Sequence, residues 1–276
     1  MTRFTIFMFT LLMAGSLFAY EKTVNLTLDI DQIEELRIEA GAGDLEVEGV
    51  DDLDQIEVSA VIFIDNAGAK QRQKILNEDL VLDLRELNSK TAILISEYNP
   101  SLSGVLGRSS NVRVDLQVRV PKRFTMEIRD GSGDINVRDM LAWIRLNDGS
   151  GSLSMTNISG DLFLDDGSGD IRLENIVGNV ELDDASGDVV AEEIAGNMRI
   201  DDSSGNLELV SVSGEIYIDD SSGDIEIETV TGDVRIRDSS GDIDVTDADQ
   251  DVIIEDDGSG DVDVRNVRGN FQNKAN

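Results

Sequence analysis

The amino-acid sequence predicts an all-β fold, a single-stranded parallel β-helix (β-solenoid) wound in coils of 18 residues. Three observations predict it: a repeated dipeptide, five regularly spaced apolar positions per repeat, and two turn segments per repeat. The dipeptide Ser-Gly begins at positions 132, 150, 168, 186, 204, 222, 240 and 259. We therefore expect about eight stacked coils, each with two short strands and two turns, and a right-handed winding.

The apolar positions follow the spacing of strands with one buried face. In the copy that begins at Ser168 they are Ile171, Leu173, Ile176, Val180 and Leu182. Polar residues separate them, which is the period-two pattern of a half-buried strand. Because stacked parallel strands lie about 4.8 Å apart, eight coils extend over roughly 35–40 Å.

Two features near the carboxyl end depart from the repeat. The last Ser-Gly comes one residue late, and we interpret this slip as a bulged turn within residues 246–252. Phe271 occupies a position where other copies have a smaller aliphatic residue. We expect Phe271 to close the end of the solenoid, because an uncovered end leaves a sheet edge exposed.

Residues 1–19 are predicted to be a secretory signal peptide. Arg3 precedes an apolar run at 4–13, and small residues precede a candidate cleavage site after Ala19. The run is too short to span a membrane, no cysteine follows for lipid attachment, and no later segment is apolar enough to span a bilayer. We therefore expect a periplasmic or secreted protein with no membrane span in the mature chain.

The rest of the chain divides into an irregular part and a regular part. Residues 20–125 are predicted to form an irregular β cap and the first degenerate solenoid turns, with a separate small β domain as the alternative. Residues 112–121 alternate as one clean strand that ends at a proline. Residues 126–276 are predicted to form the regular solenoid of about eight coils with a carboxyl-terminal cap.

The order of these motifs resembles a known family. The strand that ends at Pro121, the segment 124–128 and the Ser-Gly-Asp coils that begin at Gly131 are similar to the bacterial putative-adhesin domains, a family of unknown function. The resemblance covers nearly all of the mature chain. It implies a β-helix on an envelope or secreted protein, and it supplies no catalytic residues.

The composition indicates a strongly acidic surface. The chain has 57 Asp and Glu residues against 23 Lys and Arg, a formal net charge of −34. Such a surface repels nucleic acid and anionic membrane. The expected partner is an envelope or extracellular protein or a glycan.

Aspartates that recur around each Ser-Gly are candidate calcium ligands. Stacking places equivalent carboxylates on successive coils about 5 Å apart, where they raise each other's pKa or recruit cations. In the alternative interpretation, these aspartates and serines only build turns, glycine supplies a positive φ, and no cofactor is bound. The candidate metal ligands are Asp166, Asp170, Asp184, Asp188, Asp202, Asp220 and Asp224.

The sequence does not favour an enzyme. The chain has no histidine and no cysteine, and each repeated serine or aspartate has near-identical copies, whereas a catalytic site needs an asymmetric set of groups. Trp143 is a candidate sugar-stacking residue, with simple packing as the alternative. The sequence predicts a non-enzymatic, acidic, adhesin-like binding scaffold; a calcium-binding solenoid and a polysaccharide-active β-helix enzyme are the alternatives.

Overall fold

The computed structural model describes residues 19–100 and 110–274. The predicted signal peptide lies outside the described residues except for Ala19. The chain divides into two compact units, residues 1–135 and 136–276, and each is described by itself. The predicted boundary at residue 125 is not tested by this division and stays a prediction.

The first unit contains antiparallel as well as parallel strand pairs. Its strands are β1 (Ala19–Asp29), β2 (Glu35–Ala42), β3 (Leu45–Val50), β4 (Gln55–Asp65), β5 (Leu80–Glu86), β6 (Thr91–Tyr98), β7 (Asn111–Pro121) and β8 (Thr125–Ser132). In one sheet β1 pairs antiparallel with β4, β4 antiparallel with β7, and β3 parallel with β7. In the other, β2 pairs parallel with β6 and β8, and β5 antiparallel with β6. A short helix α1 (Ala69–Lys74) and one π-helical turn (Ile75–Asp79) connect β4 to β5.

Strand β7 follows from its alternating sequence. Every second residue from Val112 to Val120 points inward and is buried. The residues between them are exposed, except for Asp115, which is half-buried. The strand ends at Pro121, whose carbonyl oxygen accepts a hydrogen bond from the Phe124 backbone N–H at 3.0 Å. Phe124 is fully buried and anchors the turn that leads into β8.

The second unit is a parallel β-solenoid of about eight turns with coils of 18 residues, which confirms the predicted fold. Odd-numbered strands form one parallel sheet, sheet A, and even-numbered strands form a second, sheet B. The strands are β9 (Ile135–Met140), β10 (Ile144–Asp148), β11 (Leu153–Ser159), β12 (Leu162–Asp166), β13 (Ile171–Val177), β14 (Val180–Asp184), β15 (Val189–Ala195), β16 (Met198–Asp202), β17 (Leu207–Val212), β18 (Ile216–Asp220), β19 (Ile225–Val230), β20 (Val234–Asp238), β21 (Ile243–Ala248), β22 (Val252–Asp256), β23 (Val262–Arg265) and β24 (Phe271–Asn273).

The core of each coil consists of the five predicted apolar positions. In the coil of β13 and β14 all five residues, Ile171 to Leu182, are buried, and each lies opposite its equivalent 18 residues later. Backbone hydrogen bonds join the coils at the turns as well, for example from the Leu207 N–H to the Asp224 carbonyl oxygen at 2.9 Å. Burial of one aliphatic face per strand explains why the repeat tolerates only aliphatic residues there.

The Ser-Gly glycines meet the backbone of the preceding coil. Gly205 has a φ of 150°, and a Cβ at this position would overlap the carbonyl oxygen of Gly187. Only glycine combines this backbone conformation with so close an approach. The predicted role of glycine as the source of positive φ in these turns is confirmed.

A second set of left-handed residues, which the sequence did not predict, bends the strands of sheet A. One residue per coil has a φ near 60° although it is not glycine; examples are Asn157, Asn175, Glu193 and Thr229. Asparagine tolerates this conformation better than glutamate or threonine. The Nδ2 of Asn175 donates to the Oδ1 of Asn157 at 2.7 Å, so the asparagines also link adjacent coils.

The one-residue slip lies later in the chain than predicted. The turn at 246–252 keeps the 18-residue register, because Val230 is opposite Ala248 and Val234 is opposite Val252. The register shifts only within β22, where the pairing changes between Ile254 and Asp256. The prediction placed the bulge in a turn, whereas a strand absorbs the extra residue.

Phe271 does not close the end of the solenoid as predicted. It lies in β24 opposite Val252, and 46% of its surface is exposed. The inward positions of β23, Val262 and Val264, are also partly exposed. A side chain in the last strand packs against the preceding coil alone, so its greater size does not bury it.

Candidate functional site

The seven candidate metal ligands separate into two columns. The buried column contains Asp166, Asp184, Asp202 and Asp220, together with Asp238, which has the same environment. The turn column contains Asp170, Asp188 and Asp224, which are exposed. Since the two columns differ in burial, they offer two different chemistries and not one ligand set.

Four of the five carboxyls of the buried column, all except Asp166, use one oxygen to hold the turn that follows. The Oδ1 of Asp202 accepts a hydrogen bond from the Ser204 backbone N–H at 3.0 Å, and the Oδ1 of Asp220 accepts one from Ser222 at 3.0 Å. Within the described part of the chain, the Oδ2 atoms of Asp202 and Asp220 are buried without a hydrogen-bond partner. Each of the five carboxyls therefore has at least one buried oxygen without a hydrogen-bond partner, and Asp166 has two.

Burial raises the pKa of all five carboxyls of the buried column. Burial and the repulsion from Asp220 raise the pKa of Asp202 to about 7. Burial raises the pKa of Asp184 to about 6, and hydrogen bonds from the backbone of Ser186 and Ala185 oppose that increase. Burial of a protonated carboxyl costs less free energy than burial of an ionised one, so the environment of the column favours the protonated form.

The turn column holds the backbone of the neighbouring coil. The Oδ1 of Asp188 accepts a hydrogen bond from the Asn206 N–H at 2.9 Å, and the Oδ1 of Asp224 accepts one from the Asp242 N–H at 3.0 Å. Among the residues that the structure describes, no group of three or more acidic side chains is arranged to hold a metal ion. The predicted turn-building role is confirmed, and calcium binding stays a prediction.

The repeated serines contribute to the same turns. The Oγ of Ser204 donates to the Ala185 carbonyl oxygen at 3.3 Å, and the Oγ of Ser186 donates to the Gly167 carbonyl oxygen at 3.5 Å. These hydroxyls cross-link adjacent coils. As the sequence predicts, they form a structural ladder.

A groove of about 400 Å³ crosses the outward face of sheet B from β12 to β20. One side of it, from Phe163 onward, is part of a row of directly opposed outward side chains, which we call the arginine–aromatic ladder. In order, the ladder consists of Arg145, Phe163, Glu181, Arg199, Tyr217 and Arg235. All six belong to the second unit. Each strand of sheet B contributes one residue, so neighbouring members of the ladder are one strand spacing apart.

The aromatic rings hold two of these arginines in place. The guanidinium of Arg199 lies 4.4 Å from the centroid of the Tyr217 ring, and that of Arg145 lies 4.8 Å from the Phe163 ring. The Nη1 of Arg237 donates to the Tyr217 hydroxyl at 3.2 Å. Stacking on a ring holds the guanidinium in one orientation and leaves its N–H groups, which lie in the guanidinium plane, free to donate hydrogen bonds.

Arg199 and Arg235 form no ion pair and no hydrogen bond within the described residues. Arginines elsewhere do pair: on sheet A the Nη2 of Arg172 lies 2.6 Å from the Oε2 of Glu192. In a chain with a net charge of −34, two unpaired arginines lie in one row, separated by Tyr217. Their N–H donors are available to a ligand.

The opposite wall of the groove is the column of turn residues that precede the strands of sheet B. These residues are Asp161, Asn179, Asn197, Glu215 and Asp233. Four of the five side chains, all except Glu215, also accept a hydrogen bond from the next coil, as the Oδ1 of Asn197 does from the Glu215 N–H at 2.9 Å. Trp143 takes the corresponding place one coil earlier, and 40% of its surface is exposed.

The ladder does not follow from the sequence pattern that predicts the fold, although Trp143 does stand out as an isolated aromatic residue. Positions 145, 163, 181, 199, 217 and 235 hold arginine or an aromatic residue at five of the six. This signal is present at the 18-residue period. It is weak because outward strand positions are not constrained by packing and therefore vary from coil to coil.

The fold and these surfaces define a repeat protein with arginine, aromatic and acidic side chains on the outward faces of its strands. The family model described as Toastrack DUF4097 matches residues 70–276, and the chain belongs to this family. The match confirms the predicted resemblance. None of the described helices is both long and apolar enough to cross a membrane.

Several solved structures are similar over most of their length. A putative cell adhesion protein from Clostridium sporogenes has 11% identity and a TM-score of 0.33, with coverage of 92% of this chain and 99% of that one. A putative lipid binding protein from Parabacteroides distasonis has 18% identity and a TM-score of 0.48 (92% and 95%). A putative adhesin from Bacteroides fragilis has 12% identity and a TM-score of 0.37 (91% and 97%). Among curated proteins there is no significant sequence match.

Proposed function

We propose that the protein is a non-enzymatic, adhesin-like binding scaffold of the bacterial envelope, secreted or periplasmic, that binds its partner on the arginine–aromatic ladder. The observation that supports this most directly is the unpaired state of Arg199 and Arg235 within the described residues. The predicted signal peptide supports a location outside the cytoplasm. Solenoids commonly bind partners along extended repeat surfaces.

The ladder suits binding because its groups are fixed in advance. Each guanidinium offers five N–H donors, and a stacked guanidinium such as that of Arg199 loses little further freedom on binding. The backbone under it is a parallel sheet with hydrogen bonds on both sides of β16. Preorganised donors of this kind raise affinity by lowering the entropy cost of association.

No catalytic step is proposed. The chain has no histidine or cysteine, and the serines and aspartates of the coils bind backbone groups in near-identical environments. Acid and base catalysis needs groups whose environments differ. The groove offers positioned donors and acceptors, which is what a binding site requires.

Cosedimentation of the purified protein with an envelope fraction of the source bacterium tests the proposal. The site variant is Arg199→Thr with Arg235→Thr; the matched control, Arg172→Thr with Arg265→Thr, removes the same charge from sheet A. We expect the wild type and the control to cosediment and the site variant to bind at least about tenfold more weakly. Equal binding by both variants would place the site elsewhere, and no binding of the wild type would overturn the scaffold role.

Calcium binding is a second candidate function, and one observation favours it. Six carboxylates from three successive coils line a depression on the outward face of sheet A. No three of them are arranged to hold a metal ion in the described structure, so calcium, which takes six to eight oxygen ligands, would have to draw them together. Arg265 bonds one of them, Asp244, at 2.6 Å. The six are Asp224, Glu226, Asp242, Asp244, Asp261 and Asp263.

A further inference from the structure

We infer that the ligand of the arginine–aromatic ladder is a neutral polysaccharide that lies across strands β12 to β20. The inference rests on the proposed function and names the chemical class of its partner. It follows from the charge balance of the groove, from the mixture of donors and acceptors on its two walls, and from its repeat distance.

The charge balance disfavours ionic polymers of either sign. Arg199 and Arg235 face a wall that includes Asp161, Glu215 and Asp233, so the groove is slightly acidic overall. The net charge of −34 repels a polyanion at longer range. A polycation would meet the unpaired guanidinium groups of Arg199 and Arg235, and the Tyr217 ring is already occupied by Arg199. A neutral ligand is repelled neither by the acidic surface nor by the unpaired arginines.

Hydroxyl groups match the two walls of the groove. A sugar hydroxyl both donates and accepts, so it can accept from an arginine N–H and donate to a carboxylate. The Oδ1 of Asp233 accepts the Asp251 N–H at 3.2 Å, and the Oδ1 of Asp161 accepts the Asn179 N–H at 2.8 Å. A carboxylate has about four acceptor positions, so most of this capacity is left for a ligand.

The repeat distance suits an extended chain of sugar rings. Equivalent groups recur on each strand at about 4.8 Å, which is close to the advance per ring of an extended polysaccharide. The volume of about 400 Å³ lies within the usual range of ligand sites. Trp143, at the end of the turn-residue wall, exposes aromatic surface on which the C–H face of a sugar can pack.

Treated envelope fractions separate this inference from the proposed function. One sample is oxidised with periodate, which cleaves vicinal diols of sugars; another is digested with proteinase; a third is left untreated. We expect binding of the wild type to fall at least about tenfold after periodate and to survive proteinase. Binding that survives periodate but not proteinase would overturn the polysaccharide assignment and leave the scaffold role intact.

Competition then tests the charge class and the site. Polysaccharides released from the envelope are separated by anion exchange into an unretained neutral pool and a retained acidic pool. The neutral pool should displace the protein from untreated envelope, and Trp143→Ser should weaken the displacement severalfold. Displacement by the acidic pool alone would overturn neutrality. Equal displacement of Arg199→Thr/Arg235→Thr and wild type would overturn the site.

Discussion

At the scale of single residues, Asp202 and its equivalents combine two roles that usually exclude each other. One carboxylate oxygen holds a turn through the backbone of Ser204, while the other is buried without a partner in the described structure. An ionised group so placed is costly unless it is paired. The raised pKa of Asp202, about 7, means that the fold binds a proton where the unfolded chain does not.

The buried column predicts that the fold is more stable in mild acid. The unfolded pKa of aspartate is about 3.9, and burial raises the folded pKa of Asp202 to about 7. The folded chain therefore binds more protons between these values, so the free energy of unfolding falls as the pH rises from about 4 to 7. We expect the wild type to lose more than about 2 kcal/mol between pH 5 and pH 8, measured by urea denaturation.

A matched pair of variants isolates the column from the general charge of the surface. Asp202→Asn removes a buried carboxyl, and Asp201→Asn removes its exposed neighbour. The first substitution should reduce the slope of stability against pH, although Asp166, Asp184 and Asp220 still titrate, and the second should leave the slope nearly unchanged. Equal slopes for both variants would show that surface repulsion, and not the buried column, controls the response.

At the scale of the strand, the left-handed bend in sheet A is better suited to asparagine than to several of the residues that occupy it. Glu193 has a φ of 58° in β15. Glu193→Asn should stabilise the fold by about 0.5–1.5 kcal/mol, because asparagine relieves the strain and its amide can reach Asn175 in the adjacent coil. Urea denaturation at pH 7 measures the change.

The control for Glu193→Asn is the same substitution at a glutamate whose backbone has an ordinary extended conformation. Glu208 is exposed in β17, and Glu208→Asn removes the same charge. Asparagine is unfavourable in strands, so this variant should gain nothing. A gain of equal size in both variants would assign the effect to lost negative charge.

At the scale of the whole molecule, the acidic surface must be distinguished from a specific cation site. Thermal melts in EDTA, in low calcium, in low magnesium, and in sodium chloride of matched ionic strength separate the two. If calcium binds the depression on sheet A, calcium alone should raise the Tm by several degrees, and Asp224→Asn should remove the effect.

Asp161→Asn is the matched control for this calcium test. It removes one charge from a turn on the other face, where asparagine already occupies equivalent positions such as Asn179. Equal melts in all four solutions would contradict calcium binding and leave a metal-free scaffold. An equal response of both variants would point to screening of the general charge.

The sequence predicts the interior of the molecule better than its surface, for a physical reason. Inward positions such as Ile171 and Leu173 must be aliphatic in every coil, so the period is visible in the residues themselves. The outward ladder at Arg199 and Tyr217 is not constrained by packing and varies along the chain. The bulge in β22 and the exposure of Phe271 depend on which strands pair, and this register does not follow from residue type alone.

The uniform 18-residue coil has a consequence for how such a protein can change in length. Insertion or loss of one whole coil would lengthen or shorten the outward face by about 4.8 Å and keep every inside and outside position in phase. A change of any odd number of residues would turn aliphatic side chains outward, unless a bulge like that of β22 absorbs it. Duplication of one 18-residue segment can thus lengthen the outward face in fixed steps to match the length of a partner. The core positions do not have to change.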